Sequence, residues 1–141
     1  MARRAQPKAP SYRVFLSHSH QDRWIACVLR DKIQGIGVDV WLDAFDLPGG
    51  AKIRERIKDG MRRSKECLIL LSPASLRSDW VRHEAGVADG KGRWTTLVLL
   101  HVDKRKIPEP LRDLRDLSIN EFDSYLSDLG RRAGADPRGQ R

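Results

Sequence analysis

The chain has 141 residues, 40% of them apolar and 33% charged, which suits one soluble domain with its own core. No apolar run approaches the roughly 20 residues of a membrane helix, and the start, MARRAQPKAP, lacks the apolar stretch of a secretory signal, so a cytoplasmic protein with no membrane contact is expected. The net charge of +8 invites a nucleic-acid reading, but residues 1–11 and 131–141 each carry a net +3, leaving a nearly balanced body; basic tails attract polyanions weakly, and no aromatic–basic interleaving marks a specific nucleic-acid groove.

From Tyr12 onward, strand and helix signals alternate. Tyr12 to Leu16 is a short β-rich run, followed by Ser17-His18-Ser19-His20. A helical pattern then carries Ile25, Leu29 and Ile33 four apart, and Ser19 with Asp22 resembles a capping box at its start. Gly35 and Gly37 stop it. Val38 to Leu42 is the second strand, and Asp43 to Gly50 is a loop by its Pro-Gly-Gly punctuation. Ile53, Ile57 and Met61 mark the next helix. Glu66 to Leu71 is nearly continuous apolar sequence, as in a strand covered on both faces. After Ser72-Pro73 a helix is expected from about Asp79 to Ala88. Thr95 to Val102 is a fourth buried strand, Leu117 to Phe122 a weak fifth, and Ser124 to Leu129 a short final helix.

Such alternation predicts an α/β fold: a flavodoxin-like, five-stranded parallel sheet of order 2-1-3-4-5 with helices on both faces. The expected layout is a disordered basic arm over 1–11, one domain over 12–130 and a disordered basic tail over 131–141. Cys27 and Cys67 sit in apolar periodic segments without metal-ligand spacing and read as buried free thiols in a reducing compartment.

In this topology ligands bind outside the C-terminal strand ends, at the switch point between strands 1 and 3. The residues there are Ser17 and His18 after strand 1, Asp43 and the Pro48-Gly49-Gly50 loop after strand 2, and Ser72 with the helix bearing Trp80 and Glu84 after strand 3. Glu84 stands out. An exposed helical Glu commonly has a Lys or Arg three or four residues away, whereas here those positions are Trp80, Val81, Val87 and Ala88. A carboxylate near a crevice without a local cation is a candidate active-site acid; the alternative is a structural pair with an Arg such as Arg82 or Arg54.

Other chemistries are excluded. The four histidines have no metal-ligand spacing, and no serine sits in a nucleophile elbow. No dinucleotide fingerprint or P-loop occurs, so neither a redox cofactor nor P-loop ATP hydrolysis is supported. A phosphate-accepting receiver needs an Asp ending strand 3, where this chain has Ser72.

Three stretches resemble one known family. Tyr12 to Asp22 (YRVFLSHSHQD) is similar to the first box of TIR domains. Residues 40–50 (VWLDAFDLPGG) resemble the second strand and its following BB loop, and Ile69 to Glu84 (ILLSPASLRSDWVRHE) resembles the third strand and the Trp-x-x-x-Glu helix start. The resemblance spans about residues 12–130. It implies one of two functions. Some TIR domains are non-catalytic modules that bind other TIR domains; others consume NAD. In the enzymatic kind a glutamate stands where Glu84 stands, and Ser17, His18, Asp43, Gly50 and Trp80 fall at positions lining or framing the nucleotide pocket. Where many members have an aromatic or basic residue after the first-box serine, this chain has His18. Asp43 is expected to hold the loop more than touch substrate, and Trp80 either packs the wall or stacks on a ring.

The implied reaction is that of an NAD+ glycohydrolase: NAD is substrate, not cofactor, and gives nicotinamide plus ADP-ribose or a cyclic ADP-ribose isomer. The resemblance further implies self-association or pairing with other TIR domains and a role in bacterial immune signalling. A third possibility is a synthase of a cyclic nucleotide signal. The chemistry suits a single carboxylate. Glycoside hydrolysis generally uses two, one to protonate the leaving oxygen, but nicotinamide leaves a cationic pyridinium as a neutral molecule. Only the oxocarbenium-like ribose then needs stabilisation.

Overall fold

Five strands pair in parallel in the order β2-β1-β3-β4-β5: β1 Arg13–His18, β2 Asp39–Ala44, β3 Glu66–Leu71, β4 Trp94–Leu99 and β5 Arg115–Ser118. The computed structural model describes residues 12–85 and 94–134, except for the side chain of Glu84. The expected disorder of 1–11 and 135–141, and the expected helical residues beyond Ala85, therefore lie outside the described residues. The strand order is the one that the alternation predicted.

Period-2 geometry divides the core between the two sheet faces. Phe15, Cys67, Ile69, Leu71, Leu97 and Leu99 pack against Ile53, Ile57 and Met61 of α2 (Ala51–Arg62). Val14, Leu16, Leu68, Leu70 and Val98 pack against Leu29 and Ile33 of α1 (Arg23–Gly35) and against Phe122, Tyr125 and Leu129 of α3 (Phe122–Ala133). Central β3 is buried along its whole length, which explains its unbroken apolar sequence. Helix α2 lies so close to the sheet that a Cβ on Gly60 would fall 2.4 Å from Phe15 Cε1. Cys67 is buried as expected, whereas Cys27 is only half-buried; neither is in a disulfide.

Several boundaries differ from the sequence pattern, among them that of β4, which ends at Leu99 and not Val102. Strands β1 and β2 run two residues further, to His18 and Ala44, because polar Ser17, His18 and Asp43 still pair across the two strands. Strand β5 ends at Ser118, and Ile119–Glu121 forms a 3-10 turn. There the Ser118 side chain and the Glu121 carboxylate make a reciprocal capping box, so Ile119 to Phe122 are not strand. Helix α3 passes the expected domain limit at residue 130 and runs to Ala133. Gly134, at φ 68°, is the left-handed cap that stops it, and Arg132 within the last turn binds Glu66 through two hydrogen bonds of 3.0 and 2.9 Å.

Candidate functional site

Strand β1 delivers Ser17, His18 and Ser19, all with zero exposure, to the C-terminal edge of the sheet. Ser17 Oγ and His18 Nε2 have no hydrogen-bond partner among the described residues. His18 Nδ1 lies 2.7 Å from the Ser19 carbonyl oxygen, so Nδ1 carries the proton and donates it. The neutral ring then presents Nε2 as an acceptor. Burial, reinforced by nearby Arg23, holds this imidazole below its ordinary value of 6.5 despite the Ser19 bond.

The Ser19–Asp22 capping box is only half formed. Ser19 Oγ accepts the Gln21 N–H at 3.3 Å, but the Asp22 carboxylate turns to the Ser72 hydroxyl, which donates to it. Ser72 and Ser75 in turn exchange bonds, with the Ser72 N–H donating to Ser75 Oγ at 2.7 Å and the Ser75 N–H to Ser72 Oγ at 3.1 Å. The end of β3 is thus tied to the start of α1.

The loop after β2 is fastened at three points. Asp43 is buried, and Arg56 grips it with two bonds of 2.8 and 2.7 Å. Phe45 donates its N–H to the His18 carbonyl at 3.0 Å and stacks on Trp80, with ring centroids 5.5 Å apart and planes at 19°. Asp46 takes 2.8 Å bonds from Ser19 Oγ and the His20 N–H. Burial opposes its charge, but these bonds and the neighbouring His20 ring hold its carboxyl below 3.8. Gly50, at φ 48°, turns the chain into α2 and lies at the exposed rim, where it contributes backbone alone.

Beyond Ser72, the chain enters a π-helical turn, Trp80–Glu84, closed by a bond from the Ala85 N–H to the Trp80 carbonyl. Trp80, Val81 and Ala85 are buried and anchor the turn on the α2 face of the sheet. Trp80 is therefore part of the wall; its Nε1 has no partner among the described residues. Arg82, one of the cations considered as a partner for Glu84, pairs with Asp79 at 2.8 Å. The side chain of Glu84 lies outside the described residues, but its backbone ends the turn that begins at Trp80.

The structure thus brings together Ser17, Phe45 and Trp80 on one face of the sheet edge, with His18 on the other and the backbone of Glu84 at the end of the turn from Trp80. Asp43 and Gly50 hold the loop. Sequence reasoning missed Phe45 and Asp46. The signal for Asp46 is the short turn after β1, whose free N–H groups call for a carboxylate; the carboxylate comes from 26 residues away, beyond any local pattern. Among the described residues there is no cluster suited to a metal ion and no helix long and apolar enough to cross a membrane.

Comparisons with known proteins agree with this architecture. The 2' cyclic ADP-D-ribose synthase AbTIR of Acinetobacter baumannii is 36% identical over 76 residues, covering 53% of this chain and 28% of that protein. The NAD(+) hydrolase TcpA of a Theionarchaea archaeon is 29% identical over 125 residues, covering 88% of this chain and 35% of that protein. The chain therefore spans about a third of the length of these curated relatives. Among solved structures, a metazoan TIR-STING receptor from C. gigas in complex with 2',3'-cGAMP superposes with a TM-score of 0.65 at 23% identity, covering 86% of this chain and 40% of that one; at that identity it attests the fold alone. Residues 14–130 match the family model of the TIR domain, and with the three boxes in place on a sheet of this order the chain belongs to the TIR domain family.

Proposed function

We propose that this domain cleaves NAD at the nicotinamide–ribose bond, with Glu84 as the catalytic carboxylate. The observation that carries the reading is a set of buried polar atoms without partners among the described residues along the C-terminal edge of the sheet, Ser17 Oγ and Trp80 Nε1 on one face and His18 Nε2 on the other, where β1 ends and the turn leading to Glu84 begins. Buried polar atoms left unpaired cost about 1–3 kcal/mol each, so their clustering at one sheet edge points to a ligand that pairs them. Two relatives are an NAD(+) hydrolase and a 2' cyclic ADP-D-ribose synthase, which supports NAD as that ligand.

The chemistry follows from the leaving group. The C–N bond between ribose and the pyridinium breaks with its electron pair going to nitrogen, and nicotinamide departs neutral. The ribose becomes oxocarbenium-like, and the Glu84 carboxylate stabilises that charge. Water adds to the anomeric carbon and releases a proton, giving ADP-ribose; attack by a hydroxyl of the same molecule gives the cyclic isomer. Ser17, His18 and Trp80 supply polar contacts, while Asp43 and Gly50 shape the loop. Phe45 and Asp46 lie over the edge, so a dinucleotide reaches these atoms when the loop lifts. Self-association is the proposed means of lifting it, and immune signalling from the cytoplasm is the proposed setting.

The test is Glu84→Gln, which keeps volume and removes charge. Purified protein is incubated with NAD at low and high protein concentration and the products are separated by chromatography. The variant is expected to lose about 100–1000-fold in rate with an unchanged melting temperature. A variant with undiminished turnover refutes the role of Glu84. Wild type that never consumes NAD at high concentration favours a non-catalytic module that binds other TIR domains.

A further inference from the structure

A second site lies on the opposite half of the sheet. Between edge strand β5 and helix α3 runs a cavity of about 320 Å³, walled in part by Trp94, Thr96, Arg115, Tyr125, Asp128 and Arg132. Two guanidinium groups lie over the Trp94 ring, Arg115 with Cζ at 3.6 Å and Arg132 at 4.4 Å from its centroid. They differ in what else they touch. Arg132 spends its donors on buried Glu66, whereas Arg115 has no hydrogen-bond or carboxylate partner among the described residues.

The acids around the groove are already engaged. Asp116 pairs with Lys104 at 3.5 Å, Asp128 pairs with Arg131, and Glu121 accepts the Ser118 N–H at 3.2 Å. The wall also holds a buried hydroxyl. Thr96 is 1% exposed, and its Oγ1 has no partner among the described residues. A cation without a carboxylate partner among the described residues, seated 3.6 Å from an aromatic centroid and lining the same cavity as an unpaired buried hydroxyl, is a receptor for an oxyanion. Stacking fixes the guanidinium plane and leaves its in-plane N–H fork free, and that fork matches two oxygens of a carboxylate or phosphate.

We propose that the β5–α3 groove binds a small ligand bearing a carboxylate or phosphate, with Arg115 gripping the oxyanion and Thr96 supplying a second polar contact. The site is remote from the Ser17–Trp80 edge and stands or falls independently of NAD cleavage.

The test titrates the 141-residue protein with inorganic phosphate and, separately, with succinate, at ionic strength fixed by sodium chloride. Backbone amide resonances and melting temperature are followed. The expected result is a saturable shift centred on residues 94–96 and 115–117, with a rise in melting temperature by linkage. Response to phosphate alone assigns a phosphate ligand, and response to succinate alone a carboxylate. Arg115→Gln is expected to weaken the responding probe by about tenfold or more. Thr96→Val is expected to weaken it too, while raising the melting temperature of the ligand-free protein, because it removes a buried hydroxyl that lacks a partner. No saturable response to either probe, or an Arg115→Gln protein that binds as wild type does, overturns the proposal.

Discussion

At the scale of single residues, the edge of the sheet is set by hydrogen-bond direction. His18 is neutral because burial, reinforced by nearby Arg23, disfavours its cation, even though the Nδ1–H bond to the Ser19 carbonyl favours it. The sign of its contribution to stability follows. Its folded pKa lies below the unfolded value, so the unfolded chain takes up the proton first, and stability present above about pH 6.5 is lost as pH falls through the folded value. His18→Gln should therefore flatten the slope of melting temperature against pH between about 7 and 5, whatever its effect on the absolute midpoint; an unchanged slope would show that His18 does not titrate on unfolding. Asp46 behaves as a clamp. Asp46→Asn should cost about 1–3 kcal/mol and speed amide exchange in residues 45–50, whereas uniform exchange across the domain would mean that the loop is held by Phe45 alone. The serine and histidine positions were legible in the sequence because they stand at the end of a strand, where its apolar run gives way to polar residues. Asp46 was not, because its partners are backbone N–H groups made available only by the three-dimensional turn. The Trp80 ring is wall, stacked on Phe45, and its Nε1 has no partner among the described residues.

At the scale of elements, the ends of β3 differ in kind. Its start places the fully buried Glu66 carboxylate between Tyr12 Oη at 2.6 Å, Tyr125 Oη at 2.7 Å and the Arg132 guanidinium. Burial, and then the Glu66 carboxylate, push the Tyr12 hydroxyl up to about 12. Breaking a buried pair costs about 3–5 kcal/mol because it strands a charge. A chain cut after Gly130 loses Arg132 and should melt on the order of ten degrees lower, whereas a chain cut after Gly134 keeps it; equal melting of the two would remove α3's last turn from the fold's support. Helix α2 offers the contrasting case of close packing. Gly60→Ala drives a methyl into the fully buried Phe15 ring, and overpacking of this kind costs about 1–3 kcal/mol, measurable by urea denaturation. The continuous run of β3 and the four-residue spacing of α1 and α2 were legible because each buries a full face. Strand β5 was shifted in the sequence reading because its residues, Arg-Asp-Leu-Ser, are exposed or only half-buried at the sheet edge, where neither alternation nor an apolar run survives.

At the scale of the whole molecule, the two faces of one sheet are closed by helices of different chain position, so neither half of the chain completes a core alone. The strand order was legible from alternation and right-handed crossover alone, and with it the crevice; the contacts that fasten the loop over the crevice were not, since they join segments distant in sequence. Under the proposed function the fastened loop predicts a concentration effect. NAD consumed per molecule of wild type should rise with protein concentration as copies associate. Strict proportionality between rate and concentration would place the competent loop conformation within the single chain.

The π-helical winding at Trp80–Glu84 fixes a phase. In an α-helix four residues turn about 400°, so the fourth residue overshoots the first by about 40°. In a turn closed five residues back, the same four steps fall short of a full revolution. The Glu84 Cα therefore stands on the other side of Trp80 from the one that α-helical winding would give it. The azimuth of the backbone at position 84 depends on which carbonyl the Ala85 N–H selects. Exchanging the Trp80 carbonyl for that of Val81 would rotate position 84 about the axis while Trp80 stays seated. Under the proposed function, the pitch of this one turn acts as a timing mark, and a change in pitch would move the backbone that carries the proposed acid without altering any residue in it.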